Sequence, residues 1–275
     1  MRPLTLSLIQ TATRWHDAAA NRLLFEDRLN QVPADADVVV LPEMFSTGFT
    51  MASAEVAESM QGPTLGWLDE QARLHDKILC GSLVVAEQGR YFNRFFWMPP
   101  GGSPVFYDKR HRFRMAGEHL HYAAGSRRVI LECNGWRILP VVCYDLRFPV
   151  WLRNARLNAA QGDAQNDDQN HELDYDLLLC VANWPAARRA AWQTLLRARA
   201  IENLCYVAGV NIVGTDGNGV AYSGDSGIYG AEGQQLLDAA SGVGVFTATL
   251  DGEALNAYRD AFPAWQDADE FELKE

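Results

Sequence analysis

The chain has 275 residues, 48% of them hydrophobic and 21% charged, enough apolar material for a single large domain over 1–275, and no linker divides it. A formal charge of −11 argues against nucleic acid and anionic membranes as partners, because both are polyanions. Five cysteines, an odd count with no C-x-x-C pair, exclude a disulfide framework and a knuckle-type zinc site and point to reduced thiols in a cytoplasm.

The first predicted element is a strand, Leu4–Ile9, in which Leu4, Leu6 and Leu8 alternate with Thr5 and Ser7. This stretch is too short and too polar for a secretion signal, and no later apolar run approaches membrane-span length. A helix over Ala18–Gln31, a buried strand at Val38–Leu41 and a helix at Leu65–His75 follow. Extended runs come next at Ile78–Val85, Arg90–Met98 and Pro104–Tyr107, the last leading into a charged stretch, Lys109–Tyr122. Ile138–Val142 (I-L-P-V-V) reads as a buried strand ending at Cys143, and Pro149 opens a predicted helix over Val150–Leu157. Asn158–Asp174 is almost without apolar residues and reads as an exposed excursion carrying no chemistry. A strand at Leu177–Val181 precedes an amphipathic helix, Ala187–Leu204, with Trp192, Leu195, Leu196 and Ala200 on one face. Cys205–Val213 reads as a strand, and Asp216-Gly217-Asn218-Gly219 before Tyr222 signals a hairpin. Val243–Thr249 is the last strand, and the acidic tail Asp267–Glu275 packs on the body or on a partner subunit. Strands alternating with helices, with hairpins added, predict an α/β protein with mixed sheets.

Cys143 stands out, in V-C-Y-D-L-R-F-P (142–149), where a buried strand gives way to a polar turn. A thiol at a strand-to-helix junction meets unpaired N–H groups and the positive end of a helix dipole, and both favour thiolate. Position alone leaves two readings open, a reactive thiol and a small buried apolar side chain. The second suits Cys180 and Cys205 better, since both have apolar neighbours on each side. Glu43 lies in L-P-E-M-F-S-T-G-F (41–49), directly after a buried strand, where α/β proteins place ligands. Wedged among Leu41, Pro42, Met44 and Phe45 it is desolvated, as suits a general base; a solvated loop glutamate is the plainer alternative. Lys109, in Y-D-K-R-H-R-F, follows another extended run, where a surface lysine is the ordinary expectation.

Other motifs carry less. His111, His119 and His121 with Glu118 match no zinc spacing, and a solvated loop accounts for them, so no metal is expected. G-D-S-G (224–227) spells the nucleophile box of chymotrypsin-like proteases, but the helix-rich context is wrong, and Ser226 is assigned to a turn. G-T-D-G-N-G (214–219) lacks the following helix that a phosphate loop needs.

Taken together, Glu43, Lys109 and Cys143 resemble, in chain order, the catalytic triad of the nitrilase (carbon–nitrogen hydrolase) superfamily. The resemblance extends through L-P-E-M-F-S-T-G-F, D-K-R-H-R-F, A-G-E-H-L-H-Y, V-C-Y-D-L-R-F-P, A-N-W-P, R-A-R-A-I-E-N and N-I-V-G-T-D-G-N-G, spanning Gln10 to about Asp238. The wording is most similar to the bacterial omega-amidase branch. The resemblance implies a four-layer α-β-β-α sandwich with two mixed β-sheets, a homodimer, no metal or organic cofactor, and a small-molecule amide substrate. It also adds Glu118 as a second glutamate beside the triad. The implied chemistry is hydrolysis of the terminal amide of a 2-oxo dicarboxylic acid monoamide through a Cys143 thioester, the oxyanion held by Lys109 and the backbone N–H of Tyr144. A distal carboxylate on such a substrate calls for an arginine fork, for which Arg147, Arg188 and Arg189 are candidates, and Phe45, Tyr144 and Trp184 are candidate pocket walls. Competing readings are a family enzyme acting on a deaminated peptide or an N-carbamoyl compound, and a non-catalytic thiol sensor. The segment 158–174 departs from the family pattern as an insertion.

Overall fold

The computed structural model describes residues 1–154, 173–269, 271 and 273 of the chain. Most of the polar excursion at 158–174, the last three residues of the helix expected over 150–157, and several residues of the tail lie outside the described residues.

Two six-stranded sheets form the centre. The first runs in the order β14 (Gly244–Leu250), β1 (Leu4–Gln10), β2 (Val38–Val40), β3 (Ile78–Glu87), β4 (Arg90–Met98), β5 (Val105–Asp108). Strands β1, β2 and β3 are parallel and the outer pairings antiparallel. The second runs β13 (Gln235–Asp238), β12 (Gly227–Tyr229), β9 (Tyr206–Val210), β8 (Leu177–Val181), β7 (Trp136–Val142), β6 (Leu131–Cys133). Here β7, β8 and β9 are parallel and the flanking strands antiparallel. Both sheets are therefore mixed.

Strand alternation explains the layering. Leu4, Leu6, Leu8, Val38 and Val40 point one way and pack with Ile138, Val142, Leu177 and Leu179 of the other sheet. Ile9, Val39, Leu41 and Leu79 point the other way, against Phe25 and Leu29 of helix α1 (Ala18–Leu29) and against Leu65, Leu68 and Ala72 of a second helix, Pro63–His75. On the far side, Trp192, Leu196 and Ala200 of the helix Arg189–Asn203 bury their face on the second sheet, as the amphipathic pattern predicts. Each such large side chain contributes about 2–3 kcal/mol relative to exposure. Gly209 of β9 makes the approach possible, because a Cβ there would lie 2.7 Å from Leu196 and 2.9 Å from the Trp192 ring. The result is the four-layer α-β-β-α sandwich.

Three expectations change. The helix expected over Val150–Leu157 is one turn, Pro149–Leu152, since Arg153 turns to ψ 127° and the chain leaves the helix. Cys205–Val213 is two strands, β9 and β10 (Val213–Thr215), because the backbone N–H of Asn211 turns from the ladder to the Ser226 hydroxyl while its side chain bonds Trp184 and Gly224. β10 pairs with β11 (Ala221–Ser223) across the expected hairpin, where Asp216 Oδ1 accepts the N–H groups of Asn218 and Val220. A helix at Gly252–Ala261 was not expected; it docks through Leu255, and Arg259 bonds Asp176 Oδ1 along with the carbonyls of Tyr175 and Leu204.

Candidate active site

Glu43 follows β2, Lys109 follows β5, Cys143 follows β7 and Asn183 follows β8, and these four strand ends converge. They are carboxyl ends, where parallel strands open to receive ligands. Glu43, Lys109 and Glu118 are each fully buried. The Lys109 ammonium donates at 2.9 Å to Glu43 Oε1 and at 2.9 Å to Glu118 Oε1. Two carboxylates thus share one cation. Burial by itself lowers the Lys109 pKa, but Glu118 and Glu43 outweigh it and hold the ammonium protonated well above its ordinary value. Burial, with Glu43 adding and Lys109 opposing, keeps the Glu118 carboxyl above its usual range. The Phe49 ring lies 5.2 Å from the ammonium, a cation–π contact.

Each acid is pinned by neighbours that sequence reasoning missed. Asn93, on β4, donates to Glu43 Oε1 at 2.7 Å and is itself held by the Ser82 hydroxyl at 2.8 Å. The backbone N–H of Asn183 donates to Glu43 Oε2 at 2.8 Å, and its side-chain Nδ2 donates to the Glu43 carbonyl at 2.7 Å. Glu118 opens a single helical turn, Glu118–His121, and its second oxygen accepts the N–H of Phe113. Gly125 donates to the Lys109 carbonyl, in space so tight that a Cβ would lie 2.0 Å from the Asp108 carbonyl oxygen.

Cys143 takes φ 48°, a left-handed conformation that is strained for a side-chain-bearing residue, on a turn that projects it into the pocket. Its thiol reaches 4.0 Å from the Asn183 carbonyl oxygen. The expected helix dipole at this thiol is not what the structure supplies. The residues after Cys143 form a short 3-10 turn, Cys143–Arg147, and the helix begins only at Pro149. Burial pushes the thiol well above its ordinary value, Glu43 adds to the shift and Lys109 opposes it. Burial thus opposes ionisation of the free thiol, where the sequence points to a helix dipole that favours it. Asp145 braces the turn: it accepts from Val142 N–H at 3.1 Å, Tyr107 hydroxyl at 2.8 Å, and both His111 N–H and His111 Nδ1 at 2.8 Å. The Tyr144 ring packs edge-on against Phe113 and Phe148.

Cys143 opens onto a pocket. Of the candidate walls, Tyr144 and Trp184 line it, together with Arg147, Arg188 and, unanticipated, Phe49, Phe113 and Asn183. The Arg147 guanidinium lies 5.0 Å over the Trp184 ring, and that of Arg188 lies 5.3 Å over Phe113. The structure does not bring two candidates to the pocket. Phe45 is core, packed against Phe25 and Trp67. Arg189 forms a bidentate pair with Asp225, at 2.7 and 2.8 Å, so its fork is already occupied. Ser226, beside it, is buried and accepts the N–H of Asn211, a structural tie. Phe49 and Phe113 close the same sequence blocks that hold Glu43 and Lys109, and Asn183 lies in A-N-W-P, so block membership is the signal that could have found them; Asn93, in the middle of β4, carried no such signal. Among the described residues no group of histidine, cysteine and acidic side chains is arranged to hold a metal, and no helix is long and apolar enough to cross a membrane.

The chain was compared with known proteins. A family model described as carbon–nitrogen hydrolase matches residues 5–260. Omega-amidase YafV of Escherichia coli (strain K12) is 48% identical over 274 residues, covering 99% of this chain and 100% of that protein. The 2-oxoglutaramate amidase of Bacillus subtilis (strain 168) is 29% identical, covering 96% of each. Among solved structures, XC1258 of Xanthomonas campestris, a CN-hydrolase superfamily protein with an arsenic adduct in its active site, superimposes with a TM-score of 0.93 at 46% identity over all of both chains. A converging glutamate–lysine–cysteine site on a four-layer sandwich, matched to that family over nearly its whole length, makes this chain a member of the carbon–nitrogen hydrolase (nitrilase) superfamily.

Proposed function

We propose that this enzyme is an omega-amidase, cleaving the terminal amide of a 2-oxo dicarboxylic acid monoamide such as 2-oxoglutaramate to the 2-oxo acid and ammonia. One observation carries the reading: the buried Glu43–Lys109–Glu118 cluster adjoins Cys143 in a pocket that also holds two arginines, Arg147 and Arg188. The relatives named omega-amidase and 2-oxoglutaramate amidase support the same substrate class.

In this reading Glu43 takes the Cys143 proton as sulfur attacks the amide carbon, so the thiol needs no standing ionisation. Negative charge moves onto the carbonyl oxygen, where the Lys109 ammonium and the Tyr144 backbone N–H receive it. Such a donor typically lowers the barrier by about 3 kcal/mol. Glu43 passes its proton to the departing nitrogen, ammonia leaves, and a thioester remains on Cys143. Water, deprotonated by Glu43, attacks the thioester, and collapse returns the proton to sulfur and frees the acid. Glu118 orients Lys109 and carries no proton. Arg147 and Arg188 hold the distal carboxylate, their planar forks stacked on Trp184 and Phe113. No metal or organic cofactor enters any step. The same proposal takes 1–275 as one catalytic domain, acting in the cytoplasm as a homodimer. The family match over 5–260 and five free cysteines are in keeping with it, as are the exposed apolar side chains Val150 and Ile201 for a subunit contact.

The test is ammonia release from 2-oxoglutaramate by the wild type and Cys143→Ala in parallel. Rapid release that vanishes in a folded variant supports both the substrate and the nucleophile. A folded wild type that releases none discards the substrate, and turnover by the variant discards the nucleophile.

A further inference from the structure

Asn183 is almost wholly buried and touches both ends of the proposed base–nucleophile pair. Its backbone N–H and its Nδ2 hold Glu43, and its carbonyl faces the Cys143 thiol. Because Nδ2 donates to a carbonyl oxygen, the amide cannot be turned round without setting two oxygens against each other, so the other terminus is Oδ1. That Oδ1 is buried and has no hydrogen-bond partner among the described residues. Asn183 is also the residue of that kind which lines the Cys143 pocket. Buried acceptors are nearly always satisfied in native proteins, and an unmet one in a pocket points to a ligand donor.

We infer that Asn183 Oδ1 accepts a hydrogen bond from the nitrogen of the scissile amide, and that Asn183 thereby distinguishes amide from acid at the reacting end of the substrate. This rests on the omega-amidase reading and names what that reading leaves open. A primary amide offers two N–H donors at its reacting carbon. Glu43 and Oδ1 lie on the same side chain-to-main chain knot and each accept one. The product differs from the substrate by one exchange, NH2 for oxygen, at nearly unchanged shape. Its carboxylate has no donor, so an oxygen lone pair meets Oδ1 and the product is turned out of the site. The acceptor therefore helps bind the substrate and helps release the acid.

The experiment measures calorimetric dissociation constants for 2-oxoglutaramate and 2-oxoglutarate, first on Cys143→Ala, which binds without turnover. The ratio of the two constants is the readout. Adding Asn183→Ala narrows the amide preference by about tenfold, the scale of one buried hydrogen bond. Adding Asn183→Asp instead keeps an oxygen at the Oδ1 position but forfeits the Nδ2 bond to Glu43, and retains the preference. A purely structural role predicts the opposite, with both variants losing it together. If the alanine variant does not fold, Asn183→Leu fills the same volume without an acceptor and is read by the same ratio. A ratio unchanged within twofold, or lost equally in the aspartate variant, overturns the inference while leaving the substrate class intact. Failure of Cys143→Ala to bind either ligand overturns the substrate class and this inference with it.

Discussion

Replacing Lys109 with methionine, a side chain of similar length, removes the one cation between two buried carboxylates. Each ammonium–carboxylate contact is 2.9 Å, and at an effective dielectric of about 20 each attracts by about 6 kcal/mol before desolvation is subtracted. Most of that is offset in the wild type by the cost of burying three charges. In the variant the cost stays and the attraction goes, which for a buried pair amounts to about 3–5 kcal/mol. At roughly 2–4 °C per kcal/mol for a chain of this size, the melting temperature falls by roughly 6–20 °C at pH 7. The pH dependence has a definite sign. Burial and Glu43 already keep the Glu118 carboxyl above its usual range, with Lys109 opposing, and losing Lys109 raises it further. An acid whose folded pKa exceeds its unfolded value destabilises the fold above that folded pKa, and the penalty is relieved as pH falls through it. The deficit of Lys109→Met therefore narrows as the pH is lowered from 7 toward the unfolded carboxylate value of about 4.3. Adding Glu118→Gln recovers much of the loss at pH 7, because only one buried acid then remains. Thermal melts of the three proteins across that pH range are the assay. A loss below about 1 kcal/mol, or a deficit that widens in acid, would show that water or rearrangement screens this cluster and would refute the reasoning.

Two further outcomes are expected. Burial works against ionisation of Asp176, but Arg137 and Arg259 outweigh it and hold its carboxyl below the usual range. Its stabilisation is thus present above the unfolded value of about 3.9 and lost as pH falls through the lower folded value. Asp176→Asn costs about 3–5 kcal/mol in urea unfolding at pH 7 and flattens the stability profile in acid; an unchanged acid limb counts against the network. At the pocket, Arg147→Ala and Arg188→Ala raise KM for 2-oxoglutaramate about tenfold or more and leave KM for propionamide nearly unchanged. Equal rises for both amides remove these arginines from the carboxylate site.

Much of the site was visible in the chain because it is assembled from strand ends, and strand ends announce themselves. Glu43 and Cys143 each follow an apolar run that stops abruptly, and Lys109 follows an extended run in a turn. What escaped was whatever depended on orientation. Phe45 and Phe49 belong to one block, yet Phe45 turns into the α1-side core while Phe49 faces the Lys109 ammonium and the pocket. Arg188 and Arg189 are neighbours in sequence, but Asp225 engages Arg189 and leaves Arg188 to the pocket. Asp145, a member of the Cys143 motif, ties the turn that carries Cys143 to Tyr107 and His111. The surroundings of the Cys143 thiol escaped for the same reason. A proline after a strand suggests a helix dipole at the thiol, but where the helix begins and how deeply the thiol is buried are settled only by the tertiary fold.

By itself the sequence determined the local alternation of strands and helices, the amphipathic face of Trp192, Leu196 and Ala200, the hairpin at Asp216–Gly219, and the residue types available for chemistry. These are properties of short windows, set by backbone propensity and side-chain periodicity, and they survive without any partner. Only the tertiary structure decided that β14 would pair with β1 across most of the chain's length, that two parallel triplets would stack face to face, and that acids 75 residues apart in number would close on one lysine. Those choices depend on which buried surfaces fit and which buried charges find partners, quantities that exist only once distant segments meet.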